Sequence, residues 1–225
     1  MRFADADIDA AITPSARFTN NAGQGCSMPS RLLVERSVYD RVIEGVHEVT
    51  KQVVVGRPFD EGVTMGPVIS EASANRIVGL ITEAKDTGAA QVLCGGGRLG
   101  GDLAEGFFVE PTILVDVDNS APIAQTEIFG PVLCVMPFDD EEEAIALAND
   151  TGYGLAAYAQ TSNMNRAHRL IDGLNAGTVQ INSTGPGPVS PASPFGGIKQ
   201  SGYGREGSRL GLEEFLMIKN VYLNI

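Results

Sequence analysis

The chain has 225 residues and a mass of 23.7 kDa, with 43% hydrophobic and 20% charged residues and a mean hydropathy of +0.02. At roughly 150 residues per domain this reads as one large soluble globular domain, long enough to bury a core. Its 16 Lys and Arg against 28 Asp and Glu give a net charge of −12, which argues against a nucleic-acid partner, and no apolar run approaches the roughly 20 residues of a membrane span.

Three Cys, two His and no CxxC offer neither a disulfide framework nor a zinc pattern. The opening MRFADADIDAA carries acids and lacks the apolar core of a secretory signal. A reducing cytoplasm is the expected compartment.

Ile8–Phe18 reads as a helix that Pro14 kinks or ends. Arg31–Val34 reads as a short buried strand. Val38, Val42, Val46, Val49 and Val53 recur at helical spacing, which predicts an amphipathic helix. Ser70 is the expected N-cap of a helix through Ile77, Ile81 and Ala84, with Gly88 just past its end. Strands are expected near Gln91–Cys94, Thr112–Val117 and Val132–Phe138. Asp140 and Glu143 have the spacing of a capping box before Ala144–Ala148. A strand at Leu155–Gln160, a helix at Met164–Asp172 and a strand at Thr178–Asn182 follow. Glu206–Leu216 reads as a helix and Ile218–Ile225 as a closing apolar strand. This alternation predicts an α/β fold, a mostly parallel sheet flanked by helices, in one domain over 1–225. Between Ser183 and Gly204, Pro and Gly crowd a segment that also holds Phe195, Ile198 and Tyr203, and we read it as an ordered loop.

Among the cysteines, Cys94 and Cys134 lie in apolar runs and read as small core residues. Cys26 lies in Asn20-Asn21-Ala22-Gly23-Gln24-Gly25-Cys26-Ser27, where two glycines allow close approach of backbone and ligand. A helix beginning at Cys26 would favour its thiolate. Local chemistry leaves a nucleophile and a structural cysteine both open. His47 and His168 read as solvated edge residues, so a Cys–His dyad has little support. Gly95–Gly100 satisfies GxGxxG, but the turn-like Gly101–Gly106 follows where a helix should open, so it is not read as a dinucleotide site. Glu127-Ile128-Phe129-Gly130-Pro131 joins an acid, an aromatic and a turn before an apolar strand. It is either a strand-entry turn or a carboxylate for sugar hydroxyls beside a stacking ring.

Taken together, these segments resemble the aldehyde dehydrogenase superfamily. Ala22-Gly23-Gln24-Gly25-Cys26 is similar to its nucleophile motif, and Glu127–Val132 to its second signature. Asn149–Leu155 resembles N-x-x-x-Y-G-L, and Pro194–Glu206 resembles P-[FW]-G-G-x-K-x-S-G-x-G-R-E. Glu105–Thr112 also fits, and the order runs from Phe3 almost to the C-terminus. The resemblance implies that the Cys26 thiolate attacks an aldehyde to give a thiohemiacetal. Oxidation by NAD or NADP would leave a thioester, and water would release the acid. It implies that the Cys26 amide is an oxyanion donor, that Glu127 holds the nicotinamide ribose hydroxyls, and that Phe129 packs near the nicotinamide. Thr184–Pro194 would help line the substrate entrance.

Family members are about twice this long, and the resemblance places the coenzyme domain, the oxyanion asparagine and the E-L-G-G-K glutamate in a first half that has no match here. Gly25, Met28-Pro29, Pro14 and Met217 depart from the family pattern. The chain is therefore expected to be the catalytic domain alone, without full activity by itself. Two other readings are a module that docks a separate coenzyme half and a non-catalytic relic. The expected partners are a small-molecule aldehyde and either further copies of the chain, through a strand near 218–225, or the missing half.

Overall fold

The computed structural model describes residues 1–183 and 190–225. The strands are β1 Arg31–Glu35, β2 Gln91–Cys94, β3 Thr112–Val115, β4 Val132–Phe138, β5 Tyr153–Gly154, β6 Ala156–Ala159, β7 Thr178–Ile181 and β8 Ile198–Lys199. The helices are α1 Ile8–Ser15, α2 Tyr39–Lys51, α3 Glu71–Asp86, α4 Pro122–Gln125, α5 Glu141–Asn149, α6 Met164–Gly173 and α7 Ser208–Glu213.

The main sheet has the order β1-β4-β3-β2. β4 runs parallel to both β1 and β3, and β2 closes one edge antiparallel to β3. A parallel pair β6–β7 and a short antiparallel pair β5–β8 stand beside it. The expected α/β architecture with parallel pairing dominant is what forms.

Residue alternation along the strands builds a core on each side of the sheet. Leu33, Leu114, Cys134 and Met136 face one side with Ile77 and Ile81 of α3. Leu32, Val34, Ile113, Leu133 and Val135 face the other, against Ile8 of α1 and Val42 and Val46 of α2. Helices on both faces explain why β4 is apolar at almost every position.

Local chemistry sets the element ends. Asp7 caps α1 by accepting the Ala10 N–H at 3.0 Å. Pro14 falls inside the last turn of α1, after which the chain tightens into a 3-10 stretch from Ala16. Ser70 caps α3 as expected, and Gly88 follows with φ +74°. The Asp140–Glu143 pair is a shifted capping box: Asp140 accepts the Glu143 N–H, but Glu143 takes the amide of Asp139 rather than that of Asp140. α2 ends at Lys51, before Val53. β3 ends at Val115 rather than Val117 because Asp116 turns the chain at φ +51°.

One expected element is corrected. Residues Ile218–Ile225 form no strand and are exposed, since no described strand edge pairs with them. The closing helix is correspondingly short, Ser208–Glu213. Among the described residues, no helix is long and apolar enough to cross a membrane.

Candidate active site

The segment before Cys26 is a tightly constrained turn. Asn21, Ala22 and Gly23 have φ of 52°, 53° and 70°, three consecutive left-handed residues. Such backbone costs of order 1–3 kcal/mol per non-glycine residue and persists only where the surroundings hold it. Here the surroundings are visible. A Cβ on Gly23 would lie 1.9 Å from the Gly130 carbonyl oxygen, so the two backbones touch. Gly130 in turn packs on Ile77 of α3. The glycine of the Ala22–Cys26 motif and that of the Glu127–Pro131 motif are thus one contact.

Side chains complete the clamp. Gln24 accepts the Ile69 N–H at 2.7 Å and donates to the Asn21 carbonyl at 3.1 Å. Arg76 of α3 donates to the carbonyls of Glu127 and Ile128. This fixes the loop backbone and leaves the Glu127 side chain outward. Phe129 adopts φ +50° and stays 42% exposed. The hydroxyl of Tyr158, on β6, donates to the Ser27 carbonyl at 3.1 Å.

Cys26 itself is exposed and does not begin a helix, so the condition under which a helix N-terminus would favour its thiolate is not met. It lies in the turn closed by the Met28 N–H on the Gly25 carbonyl. The reason is Pro29, which lacks an N–H and drives Met28 out of the helical region. Among the described residues no acceptor takes the Cys26 amide.

Cys26 and Glu127 line a cleft of about 370 Å³ together with Arg31, Asn149, Tyr153 and Tyr158. A smaller adjoining hollow is lined by Cys26, Glu127 and Phe129. The structure therefore brings together the three residues singled out from sequence. The Thr184–Val189 part of the expected entrance loop lies outside the described residues, and Ser190–Pro194 do not line either hollow. His47 on α2 and His168 on α6 line neither hollow.

The other cysteines differ as their burial requires. Cys134 is fully buried, and desolvation pushes its thiol up to about 12. Cys94 is half-buried rather than a core residue, with its thiol also raised by burial. Brief iodoacetamide treatment at pH 8, read by peptide mass spectrometry, is expected to label Cys26 first and Cys94 slowly. Cys134 should label only after denaturation.

Several site residues had no motif to announce them. Arg31 follows Cys26 by five positions and reaches away from it. It donates to Asn119 Oδ1 at 2.7 Å and to the carbonyls of Leu147 and Ala148, at the C-terminus of α5, at 3.0 and 2.9 Å. Replacing Arg31 with Met should cost about 2–4 kcal/mol, since a charged donor to three acceptors is lost in a largely buried place; urea unfolding measures it.

The remaining family-like motifs serve as clasps. Asn149 bonds the carbonyl of Gly173 and the amide of Asn175. Lys199 Nζ donates to the carbonyls of Asn149 and Thr151 at 2.8 and 3.1 Å, and β5 pairs with β8. The Gly95–Gly100 run is a turn. Its Gly96 and Gly97 amides are taken by Thr112 Oγ1 and Glu110 Oε2, from the Glu105–Thr112 motif.

A sequence profile described as the Aldehyde dehydrogenase family matches residues 2–221. The chain belongs to the aldehyde dehydrogenase family. It is 41% identical over 225 residues to a betaine aldehyde dehydrogenase of Sinorhizobium fredii and 43% identical over 227 residues to one of Brucella ovis. In each case 99% of this chain is covered, so the chain spans about 45% of the length of these curated relatives.

Among solved structures, a betaine aldehyde dehydrogenase mutant of Staphylococcus aureus, in complex with NAD+ and bearing a BME-modified cysteine, is 40% identical, with a TM-score of 0.90. The match covers 96% of this chain and 44% of that one. The indole-3-acetaldehyde dehydrogenase AldA of P. syringae, a cysteine-to-alanine mutant in complex with NAD+ and IAA, matches all of this chain and 45% of its own, with 38% identity and a TM-score of 0.93.

Proposed function

We propose that this aldehyde dehydrogenase family chain is the catalytic portion of an NAD(P)-dependent enzyme that oxidises an aldehyde to a carboxylic acid, with Cys26 as nucleophile. The observation that carries the reading is the meeting of an exposed thiol with the Glu127–Phe129 loop in one cleft. The NAD+ complexes of the Staphylococcus and P. syringae enzymes and the modified cysteine of the former support it.

The Cys26 sulfur adds to the aldehyde carbon, forming a C–S bond and turning the carbonyl oxygen into an alkoxide. The Cys26 amide, which no described acceptor takes, donates to that oxygen. NAD(P)+, when bound, supplies the two-electron oxidant that leaves the acyl group on Cys26 as a thioester. Water then cleaves the C–S bond, releasing the acid and restoring the thiol. This reading assigns no residue of the present chain as the base for that water.

The residues present fit one end of the coenzyme. The exposed Glu127 carboxylate would accept hydrogen bonds from ribose hydroxyls, and the half-exposed Phe129 ring would offer a face to the nicotinamide. The glycine run offers no phosphate cradle, since its Gly96 and Gly97 amides are engaged internally. The three free cysteines suit a reducing cytoplasm. The exposed Ile218, Val221, Tyr222 and Leu223 suit assembly with further copies or with the remaining portion.

The test is reconstitution. The chain is mixed with the part of the Sinorhizobium fredii enzyme that it does not span, and NADH is followed at saturating NAD+ with betaine aldehyde as first substrate. The mixture should form NADH, whereas neither polypeptide alone should, nor the mixture carrying Cys26→Ala. A mixture in which the two polypeptides co-purify but no aldehyde is oxidised would count against the reading.

A further inference from the structure

Tyr158 reaches the cysteine turn from a separate sheet, the β6–β7 pair. Ala157 and Ala159 of β6 pack into the core, so Tyr158 between them projects the other way. The Arg17 guanidinium lies over its ring, 5.6 Å from the centroid. Its hydroxyl donates to the Ser27 carbonyl at 3.1 Å, and among the described residues no other donor reaches that oxygen.

Ser27 and Met28 share one peptide group. Its oxygen accepts the Tyr158 hydroxyl, and its N–H, that of Met28, donates to the Gly25 carbonyl at 3.1 Å. Gly25 and Cys26 share another. Its oxygen accepts that Met28 N–H, and its own N–H is the Cys26 amide, which no described acceptor takes. Both peptides are trans, so in each the C=O and the N–H point in opposite directions. The phenol and the two peptides thus form a series of hydrogen bonds that ends at the Cys26 N–H.

Such a series does two things. A peptide held only at its N–H can tilt about the bonds on either side, whereas one held at its oxygen as well cannot tilt without breaking a bond. Cys26 and Ser27 are the central residues of the turn that the Met28 N–H closes on Gly25, so fixing the Ser27–Met28 peptide fixes the direction of the Cys26 amide. Each bond in the series also polarises the next, by roughly 10–30%. Gly23 and Gln24 hold the chain ahead of Cys26, and Tyr158 holds it behind.

We propose that Tyr158 is a positioning residue for attack by Cys26: through the two peptides it aims and polarises the Cys26 amide toward the oxygen of the reacting carbonyl. The assignment rests on Cys26 being the nucleophile. As the C–S bond forms, the π pair of the carbonyl moves onto its oxygen, and the charge arises where the Cys26 amide donates. Tyr158 gives up no proton in this step; its O–H stays on the Ser27 carbonyl. Alkylation by iodoacetamide is different. There the C–S bond forms as iodide leaves a saturated carbon, and no oxyanion develops. The same thiol can therefore be read with and without the need for its amide.

Tyr158→Phe tests this in the full chain, since it keeps the ring beneath Arg17 and removes only the donor. Ser27 and Tyr158 both line the cleft, so water can replace the phenol on the Ser27 carbonyl but is not held in one place. The loss should therefore be partial. The rate constant for acylation by p-nitrophenyl acetate, from stopped-flow absorbance, should fall about 5–10-fold, against the roughly 10²–10³-fold that follows outright removal of an oxyanion donor. The half-saturating ester concentration and the rate of Cys26 alkylation by iodoacetamide should each stay within about twofold of the parent's, the signature of an amide that serves only the charged oxygen. Acylation by the variant at the parent's rate overturns the role of Tyr158 alone. An equal fall in acylation and alkylation also overturns it, because the turn would then be merely loosened. A parent chain that is alkylated but never acylated at Cys26 overturns the nucleophile reading itself, and this assignment with it.

Discussion

Cys26→Ala is expected to abolish the acylation burst of this chain with p-nitrophenyl acetate. On the proposed reading, the Cys26 sulfur of the unaltered chain should attack the ester carbonyl, expel p-nitrophenolate and keep the acetyl group as a thioester. With no residue of the chain assigned as the base for water, deacylation should lag and the nitrophenolate burst should approach one per chain, followed by a slow phase. Stopped-flow absorbance gives the burst, and peptide mass spectrometry should place the acetyl group on Cys26. Cys134 is shut away from the ester, since it is fully buried and desolvation raises its thiol. Cys94 is raised by burial in the same direction. A burst of equal size in the alanine variant would remove Cys26 from the nucleophile's role.

Gly23→Ala should cause the largest loss of stability of any single substitution near the site, about 3–5 kcal/mol. A Cβ at φ +70° is strained by itself, and it would meet the Gly130 carbonyl oxygen at 1.9 Å, a backbone atom that cannot swing aside. Urea denaturation followed by circular dichroism measures the loss. If the variant still folds, the strain must open the contact between the two loops, and the acetylation burst should fall with stability. Gly62→Ala is the matched control: its φ of +79° carries the same backbone strain, but nothing lies within 4 Å of the added carbon. It should cost about 1–2 kcal/mol and leave the burst intact.

Most elements were legible because their signals are local. The valine spacing gave α2, Ser70 gave the start of α3, and the apolar runs gave β1, β2 and β4. The closing strand misled because Ile218–Ile225 has strand composition, while pairing depends on a neighbour that composition does not reveal. No helix opens at Cys26, because Pro29 follows three positions on.

At the site, Cys26, Glu127 and Phe129 were legible through glycine-rich surroundings and family-like motifs. Arg76, Gln24 and Tyr158 were not, since each is a single polar residue whose partner lies 43 to 131 positions away. Arg31 heads an apolar strand, and a charge in such a place is a readable sign of buried acceptors. Which acceptors they are is settled only by the fold. Asn149 and Lys199, conspicuous within their motifs, turn out to tie β5 and β8 to the ends of α5 and α6.

The contact between Gly23 and Gly130 also sets a schedule. Cys26 leaves the ribosome about a hundred residues before Gly130 does, a delay of roughly 5–20 s at ordinary elongation rates. Throughout that interval the left-handed turn has nothing to lean on and the thiol is an ordinary one on a flexible chain. β4, which follows Gly130 directly and pairs with β1 behind Cys26, completes the loop contact and the central sheet in one event. An incomplete nascent chain therefore carries no preformed cysteine turn, and whatever reactivity that turn confers begins only when the sheet beneath it closes.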